Sequence, residues 1–236
     1  MRRRLRPTAR LVLTAALASA FVAGCSSGDD APSGASAEEL ASRLESARTT
    51  LDEAESLEFS ITTAQLPSGV TGLLSAAGVG NHDPAFEGDV KVSSGGTIDA
   101  EVVAVDDTVY AKTGFAPVFV PVDPTSLGSP DPADLMRADG GITTLLTETG
   151  ELQEGEQSRD GSDVLTSITG TVAGSVVKSL IPTADEGADF DATYRLTDDD
   201  VLRDAKVTGP FYTGSDAVSY TIEVTASDQD VDITAP

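Results

Sequence analysis

Apolar residues recur along this chain at two periods, and the change from one to the other divides it. Leu40, Leu44, Ala47, Leu51 and Ala54 stand three or four apart, with Glu39, Arg43, Glu45 and Arg48 mostly on other faces, which predicts an amphipathic helix over 38–55. Ser36, three residues before Glu39, completes the S-x-x-E arrangement of a capping box. At 56–66 the period drops to two: Leu57, Phe59 and Ile61 alternate with Glu58, Ser60 and Thr62. Beyond the Pro67-Ser68-Gly69 turn the chain reads as strand after strand. Positions 71–81 are rich in glycine and alanine, a strand with little side-chain bulk. At 85–93, Phe86, Gly88, Val90 and Val92 alternate with Glu87, Asp89 and Lys91. Turns at Ser94-Gly95-Gly96 and Asp106-Asp107 lead into strands at 97–105 and 108–113.

Prolines 117, 121, 124, 130 and 132 then break the pattern, so 115–132 is expected to be an irregular crossing loop. Short helices are predicted at 131–136, at 141–148 (Ile142, Leu145 and Leu146 on one side) and at 174–181, where Val176, Val177, Leu180 and Ile181 precede Pro182. A hairpin is expected over 151–172 around Arg159–Ser162, followed by strands at 190–196, 201–207 and 217–226 and a short tail at 231–236. Nine or ten strands joined by tight turns make a large antiparallel sheet with one apolar face. A sheet of that width twists and curls, and the light strand at 71–81 helps it bend. With helices on the concave face, the fold class is α+β: a large curled antiparallel sheet under a few short helices. Short helices fill a strongly curled sheet incompletely, so the space between the layers is either an apolar hollow or a solid core.

The first 24 residues have a different composition. Arg2, Arg3, Arg4, Arg6 and Arg10 precede an apolar run at 11–23, which reads as a secretory signal and is too short to span ~30 Å of hydrocarbon. Val22-Ala23-Gly24-Cys25 holds the chain's one cysteine and resembles the bacterial lipobox, whose thiol is acylated and becomes the mature N-terminus. Acyl chains on Cys25 at ~0.8 kcal/mol per buried CH₂ anchor a protein to a membrane. The Ser-, Gly- and Pro-rich stretch that follows has the composition of a flexible tether. The expected organisation is thus a signal at 1–24, a lipidated tether at 25–37 and a single domain at 38–236, with the protein lipid-anchored on the extracytoplasmic face.

Charge narrows the partners. The formal net charge is −24, and more negative once the signal arginines are removed. Such a surface repels phosphates, which excludes nucleic acid and argues against electrostatic docking on anionic lipid. With no Trp and 5% aromatics, stacking platforms for bases or sugars are not expected. One histidine, His82, rules out sets that need a second; it lies in Asn81-His82-Asp83-Pro84, expected to be an exposed turn. No phosphate loop, nucleophile elbow, C-x-x-C or H-E-x-x-H occurs. Asp198-Asp199-Asp200 and the alternating Asp228, Asp230 and Asp232 lack the spacing of a calcium loop and read as solvated turn and edge charges. Nothing singles out two carboxylates for glycoside hydrolysis. No cofactor or metal is implied, and an enzyme is not expected.

Several stretches resemble one family. Phe86–Gly96 resembles the G-[DN]-V-K strand and glycine turn of the LppX/LprG (LppX_LprAFG) family of actinobacterial lipoproteins. Asp131-Pro132-Ala133-Asp134-Leu135 through Gly140-Gly141-Ile142 is similar to its D-P-A-x-x-L and D-T-G-L, with Gly140 where the threonine stands. Gly161–Val172 is similar to its hairpin strand. The resemblance implies a LolA/LolB-like half-barrel whose cavity takes the acyl chains of envelope lipids or glycolipids and carries them from the inner membrane outward. An envelope transporter is a possible partner. It also implies that Val90 faces the cavity. Phe59, Ile61, Phe86, Val92, Leu145, Leu146, Val176, Val177 and Leu180 are further candidates, chosen as apolar-face residues that would serve equally as core. The alternative is a scaffold lipoprotein with a filled core that engages other envelope proteins.

Overall fold

The computed structural model describes residues 34–236, which form one compact unit. The signal, Cys25 and most of the tether lie outside the described residues. Eleven antiparallel strands form one open sheet in the order β6-β5-β4-β3-β2-β1-β11-β10-β9-β8-β7. The first six are β1 (Ser56–Thr62), β2 (Gly72–Asn81), β3 (Ala85–Ser93), β4 (Thr97–Val105), β5 (Thr108–Thr113) and β6 (Val120–Val122). The rest are β7 (Thr149–Asp160), β8 (Asp163–Ala173), β9 (Asp189–Thr197), β10 (Leu202–Gly209) and β11 (Val218–Ser227). Two hairpin meanders therefore meet at the central β1–β11 pair, where Ile61 stands opposite Ile222. The short β6 falls inside the stretch expected to be irregular.

The order of strands dictates what covers the sheet. β6 and β7 are consecutive in sequence yet lie at opposite edges, roughly 50 Å apart if eleven strands at ~4.8 Å spacing were flat. The connection between them must cross one face. It does so as a 3-10 turn at Pro124–Leu127, helix α2 (Pro132–Leu135) and helix α3 (Thr144–Thr147). Helix α1 (Ala37–Asp52) packs against α3, β7 and β11, and α4 (Gly174–Leu180) lies against β8 and β9.

α1 starts at Ala37 because both halves of the capping box form: Ser36 N–H donates to Glu39 Oε2 at 2.7 Å, and Glu39 N–H donates to Ser36 Oγ. The bond from Ser36 holds the exposed Glu39 carboxyl below its ordinary value. Ala35 N–H donates to Glu154 of β7, so the ordered chain begins a few residues before the expected 38. Leu40, Leu44, Ala47 and Leu51 of α1 are buried against the inner sheet face, together with Leu57, Phe59, Ile61, Phe190, Tyr194, Tyr220 and Ile222.

Two sequence readings change and one gains detail. His82 is not an exposed turn residue: its Nδ1 lies 2.7 Å from Met136 O and its Nε2 3.1 Å from Leu51 O, bridging the ends of α2 and α1. The short tail at 231–236 is held to the sheet: Ile233 is buried on the outer sheet face with Ala85 and Val103, and Asn81 donates to Val231 O. The triple-aspartate turn is more than solvated charge: Asp200 pairs with Arg43 of α1 at 2.5 Å, and Arg43 also donates to Thr197 O.

Candidate functional site: an apolar cavity under the crossing segment

One register row explains where the sheet and its cover part company. Across the inner face, Thr113, Ala100, Val90, Ala76, Ile61, Ile222, Ala205, Tyr194 and Ile168 stand side by side on β5, β4, β3, β2, β1, β11, β10, β9 and β8. From β5 to β2 the side chains are short (Thr, Ala, Val, Ala); from β1 onward Ile61, Ile222, Tyr194 and Ile168 are large, with Ala205 the one short residue among them. A packed interior tolerates few voids larger than a water, so the missing volume on the short side must be filled by the cover or left open. The cover there is the proline-rich part of the crossing segment, which has no long apolar helix to send down.

The result is a cavity of about 220 Å³ over β1–β6. Its walls are Val90, Val92, Ile98, Ala100, Val102, Val109 and Ala111 from β3–β5, Phe59, Ile61, Leu73 and Ala76 from β1 and β2, and Val122, Pro124, Leu127, Pro130, Pro132 and Leu135 from the crossing segment. The polar side chains in the lining are Thr113 and Ser129, and no charged group faces it. The deep end, at Phe59, Ile61 and Leu73, is buried; the β4–β6 side, at Ile98, Ala100, Ala111, Thr113 and Val122, is partly exposed.

Buried hydrogen bonds hold the deep end in shape. The β2–β3 pairing shifts register between Leu73 and Ser75. Leu73 N–H donates to the Tyr212 hydroxyl at 3.2 Å, Tyr212 and Tyr220 hydroxyls are 2.8 Å apart, and Tyr220 O–H donates to Leu73 O at 2.6 Å. Desolvation by burial pushes both phenols up, so they stay protonated as the ring of bonds requires. A side chain on Gly72 would collide with the Tyr212 ring, which explains glycine at the start of β2. Gly78 and Gly88 face each other across β2 and β3, and a Cβ on either would meet the neighbouring backbone. The lightness of β2 thus permits close packing as well as bending.

The candidates from the sequence divide between two environments. Val90, Phe59, Ile61 and Val92 line the cavity. Phe86 lies outside it, fully buried and edge-on to Phe59 at 6.4 Å. Leu145, Leu146, Val177 and Leu180 pack into the filled half under α3 and α4, where the voids are only about 20 Å³ each. Val176 is partly buried beside that half. The sequence reading missed Ile98, Ala100, Val102, Val109 and Ala111, although period two in β4 and β5 marks them. It also missed the wall from Val122 to Leu135, for which proline spacing alone carries no direction. Among the described residues no cluster of His, Cys, Asp or Glu could hold a metal ion, and no helix is long and apolar enough to cross a membrane.

An open antiparallel sheet, covered on one face by short helices and a crossing segment and hollow beneath that segment, defines the class of protein. Two solved structures share the fold. LprF from Mycobacterium bovis superposes with a TM-score of 0.68 at 16% identity, covering 86% of this chain and 99% of that one. Mycobacterium tuberculosis lipoprotein LppX superposes with a TM-score of 0.61 at 18% identity, covering 84% and 100%. No curated protein matches the chain in sequence. The LppX_LprAFG lipoprotein family model matches residues 37–235, and the chain belongs to that family.

Proposed function

We propose that this protein is a non-enzymatic lipid-binding lipoprotein that seats acyl chains of envelope lipids or glycolipids in the cavity over β1–β6. Held at the membrane through Cys25 on the extracytoplasmic face, it carries them from the inner membrane toward the outer envelope, with an envelope transporter as delivering partner. The observation that carries the reading is an almost wholly apolar cavity of about 220 Å³ in a chain of net charge −24. Apolar walls suit hydrocarbon, at ~0.8 kcal/mol for each methylene removed from water. The partly exposed β4–β6 side leaves a head group in solvent. The filled half of the core supports the second reading, a scaffold lipoprotein. Mass spectrometry of protein purified from its own envelope under native conditions separates the two, because a carrier brings acyl lipid with it.

Val90→Trp is the direct test. Val90 sits between Ala76 and Ala100 in the short-side-chain row, so an indole there enters the cavity. The expected outcome is a thermal midpoint of the lipid-free protein close to wild type, with co-purified lipid and acyl-probe binding sharply reduced. Loss of ~1–3 kcal/mol from the lipid-free form, as overpacking of a filled core produces, with acyl binding per folded molecule unchanged, overturns the reading. Both quantities are measured on delipidated and loaded samples, since ligand loss itself lowers the midpoint.

A further inference from the structure

Immediately after β5 the chain runs Gly114-Phe115-Ala116-Pro117-Val118-Phe119-Val120-Pro121-Val122, nine residues without a charged or hydrogen-bonding side chain in a protein with 39 acidic residues. The stretch is not buried as a core segment would be. Phe115 is 93% exposed and Val118 65% exposed, whereas Phe119 packs beside Ala85, Val103 and Ile233 and holds the loop to the sheet edge. A backbone bond from Thr113 N–H to Ala116 O tightens the tip, and Thr113 Oγ1 accepts from the Phe115 and Ala116 amides. The loop thus presents an ordered apolar tip with few free polar groups of its own.

Its place on the molecule is informative. Thr113, where the stretch leaves β5, lines the cavity, as does Val122 of β6, which pairs with Val109 farther down the strand. Thr113 pairs with Ala100, so the tip stands at the partly exposed end of the cavity, where the β3–β4 turn also lies. The acids gather at the opposite end of the same strands. Asp106 and Asp107 make the β4–β5 turn, roughly 20 Å from Thr113 along β5, and with Asp83, Asp230 and Asp232 they line a polar hollow that also includes Ala85 and Ile233 beside Phe119. Near the tip, Lys91 pairs with Asp99 and Lys112 with Glu101, while Asp89, opposite Glu101, and Asp123, next to Val122, carry charge with no ion pair among the described residues. Lys112 Nζ also lies 5.7 Å from the Phe119 ring centroid.

We propose that Phe115 and Val118 insert into the acyl boundary of a lipid bilayer and so apply the cavity mouth to the membrane surface. The inference rests on the carrier reading for its purpose, since a mouth pressed to a bilayer lets a tail pass between lipid and cavity without crossing water. A bilayer is the occupant the page favours. The patch adjoins the apolar cavity at Thr113, two of the nearby acids are paired with lysines, and the acidic β4–β5 turn lies at the far end of β5 from the tip. Attraction is apolar and not electrostatic, so it persists in high salt and gains nothing from anionic lipid.

The test uses the mature chain carrying Cys25→Ser, so that no acyl anchor contributes, with vesicles of phosphatidylcholine alone or mixed with phosphatidylglycerol. Because the chain has no tryptophan, Phe115→Trp supplies a single reporter. Its emission shifts to the blue on adding vesicles and is quenched by lipids brominated along the acyl chain. Replacing both tip residues, Phe115→Ser with Val118→Ser, lowers vesicle partitioning roughly tenfold or more, the effect of withdrawing one large apolar side chain from hydrocarbon. Binding of a fluorescent fatty acid in vesicle-free solution stays as in the wild type, while its vesicle-to-vesicle transfer slows. Unshifted emission with both kinds of vesicle, or partitioning that the double replacement leaves intact, overturns the proposal. A blue shift that follows protein concentration without vesicles also overturns it, in favour of a second copy on the tip. If the fatty acid fails to bind in solution but the tip still inserts, the carrier reading falls and insertion stands.

Discussion

Leu73 lines the cavity and also interrupts the ladder of β2, and its two backbone groups are satisfied by two tyrosines from the far meander. Every proton in the ring has one acceptor, from the Leu73 amide to Tyr212, from Tyr212 to Tyr220, and from Tyr220 back to the Leu73 carbonyl. Tyr220→Phe leaves that carbonyl without its donor and the Tyr212 proton without its acceptor. The expected loss is ~1–3 kcal/mol, read from the urea midpoint, together with weaker acyl-probe binding at the deep end. Tyr212→Phe combined with it costs less than the sum, because one network is broken twice. Stability also falls in alkali. Desolvation raises Tyr212 and Tyr220, and pushes Tyr194 up to about 12 from 10.0. The native phenols therefore keep protons that the unfolded chain releases. Stability is unaffected below pH 10 and declines as pH rises past it, up to about 12 for Tyr194. Denaturant midpoints across that range check the sign.

Among the elements, α1 shows how local signals and a distant residue share the work. Its start is local, through the Ser36 and Glu39 box. Its end carries no basic residue in the last turn, and the Leu51 carbonyl there faces His82 from the β2–β3 turn. The other ring nitrogen faces Met136 at the end of α2, so one side chain ties the first helix to the crossing segment over the cavity. His82→Ala removes the donor from at least one of the two carbonyls, since a neutral imidazole donates through one ring nitrogen and an imidazolium through both. The expected cost is on the order of 1–3 kcal/mol, with faster amide exchange at the end of α1 and in α2. The loops at the sheet's two ends differ in kind for a related reason. Asp106 and Asp107 both sit at positive φ, 52° and 56°, in a two-residue hairpin turn, a backbone that aspartate tolerates better than most residues.

At the scale of the molecule, the anchor proposed at Cys25 is separate in sequence from the unit that folds. Residues 34–236 make one compact unit, and among them no helix could cross a membrane. If acyl chains on Cys25 supply stable attachment, Cys25→Ser releases the protein into the medium with its thermal midpoint unchanged. The insertion proposed for Phe115 and Val118 would give only reversible binding, as a single acyl chain does. Quantitative retention of Cys25→Ser in the membrane fraction, measured against a resident membrane protein, contradicts the anchor assignment.

The sequence by itself determined the order and period of nearly every element. Those signals are local: three- and four-residue spacing in α1, alternation in β1, β3 and β4, glycines and aspartates where hairpins turn. It also placed Val90 and Val92 on an inward face and, through the resemblance of 86–96 and 131–142, pointed to the family. It left open whether that face meets a hollow or a core, because alternation says which side a residue faces and not what lies opposite. Only the tertiary structure decided this. The strand order sends the segment between β6 and β7 across the inner face, bringing Pro124, Pro130 and Pro132 over the short row Ala76, Val90, Ala100 and Thr113, and leaving α1, α3 and α4 to fill the space over Tyr194 and Ile222. Strand order is a matter of pairing between residues more than a hundred positions apart, such as Ile61 with Ile222, and no window along the chain contains both. The same distance hid His82 from the sequence reading, since its partners Leu51 and Met136 lie 31 and 54 residues away.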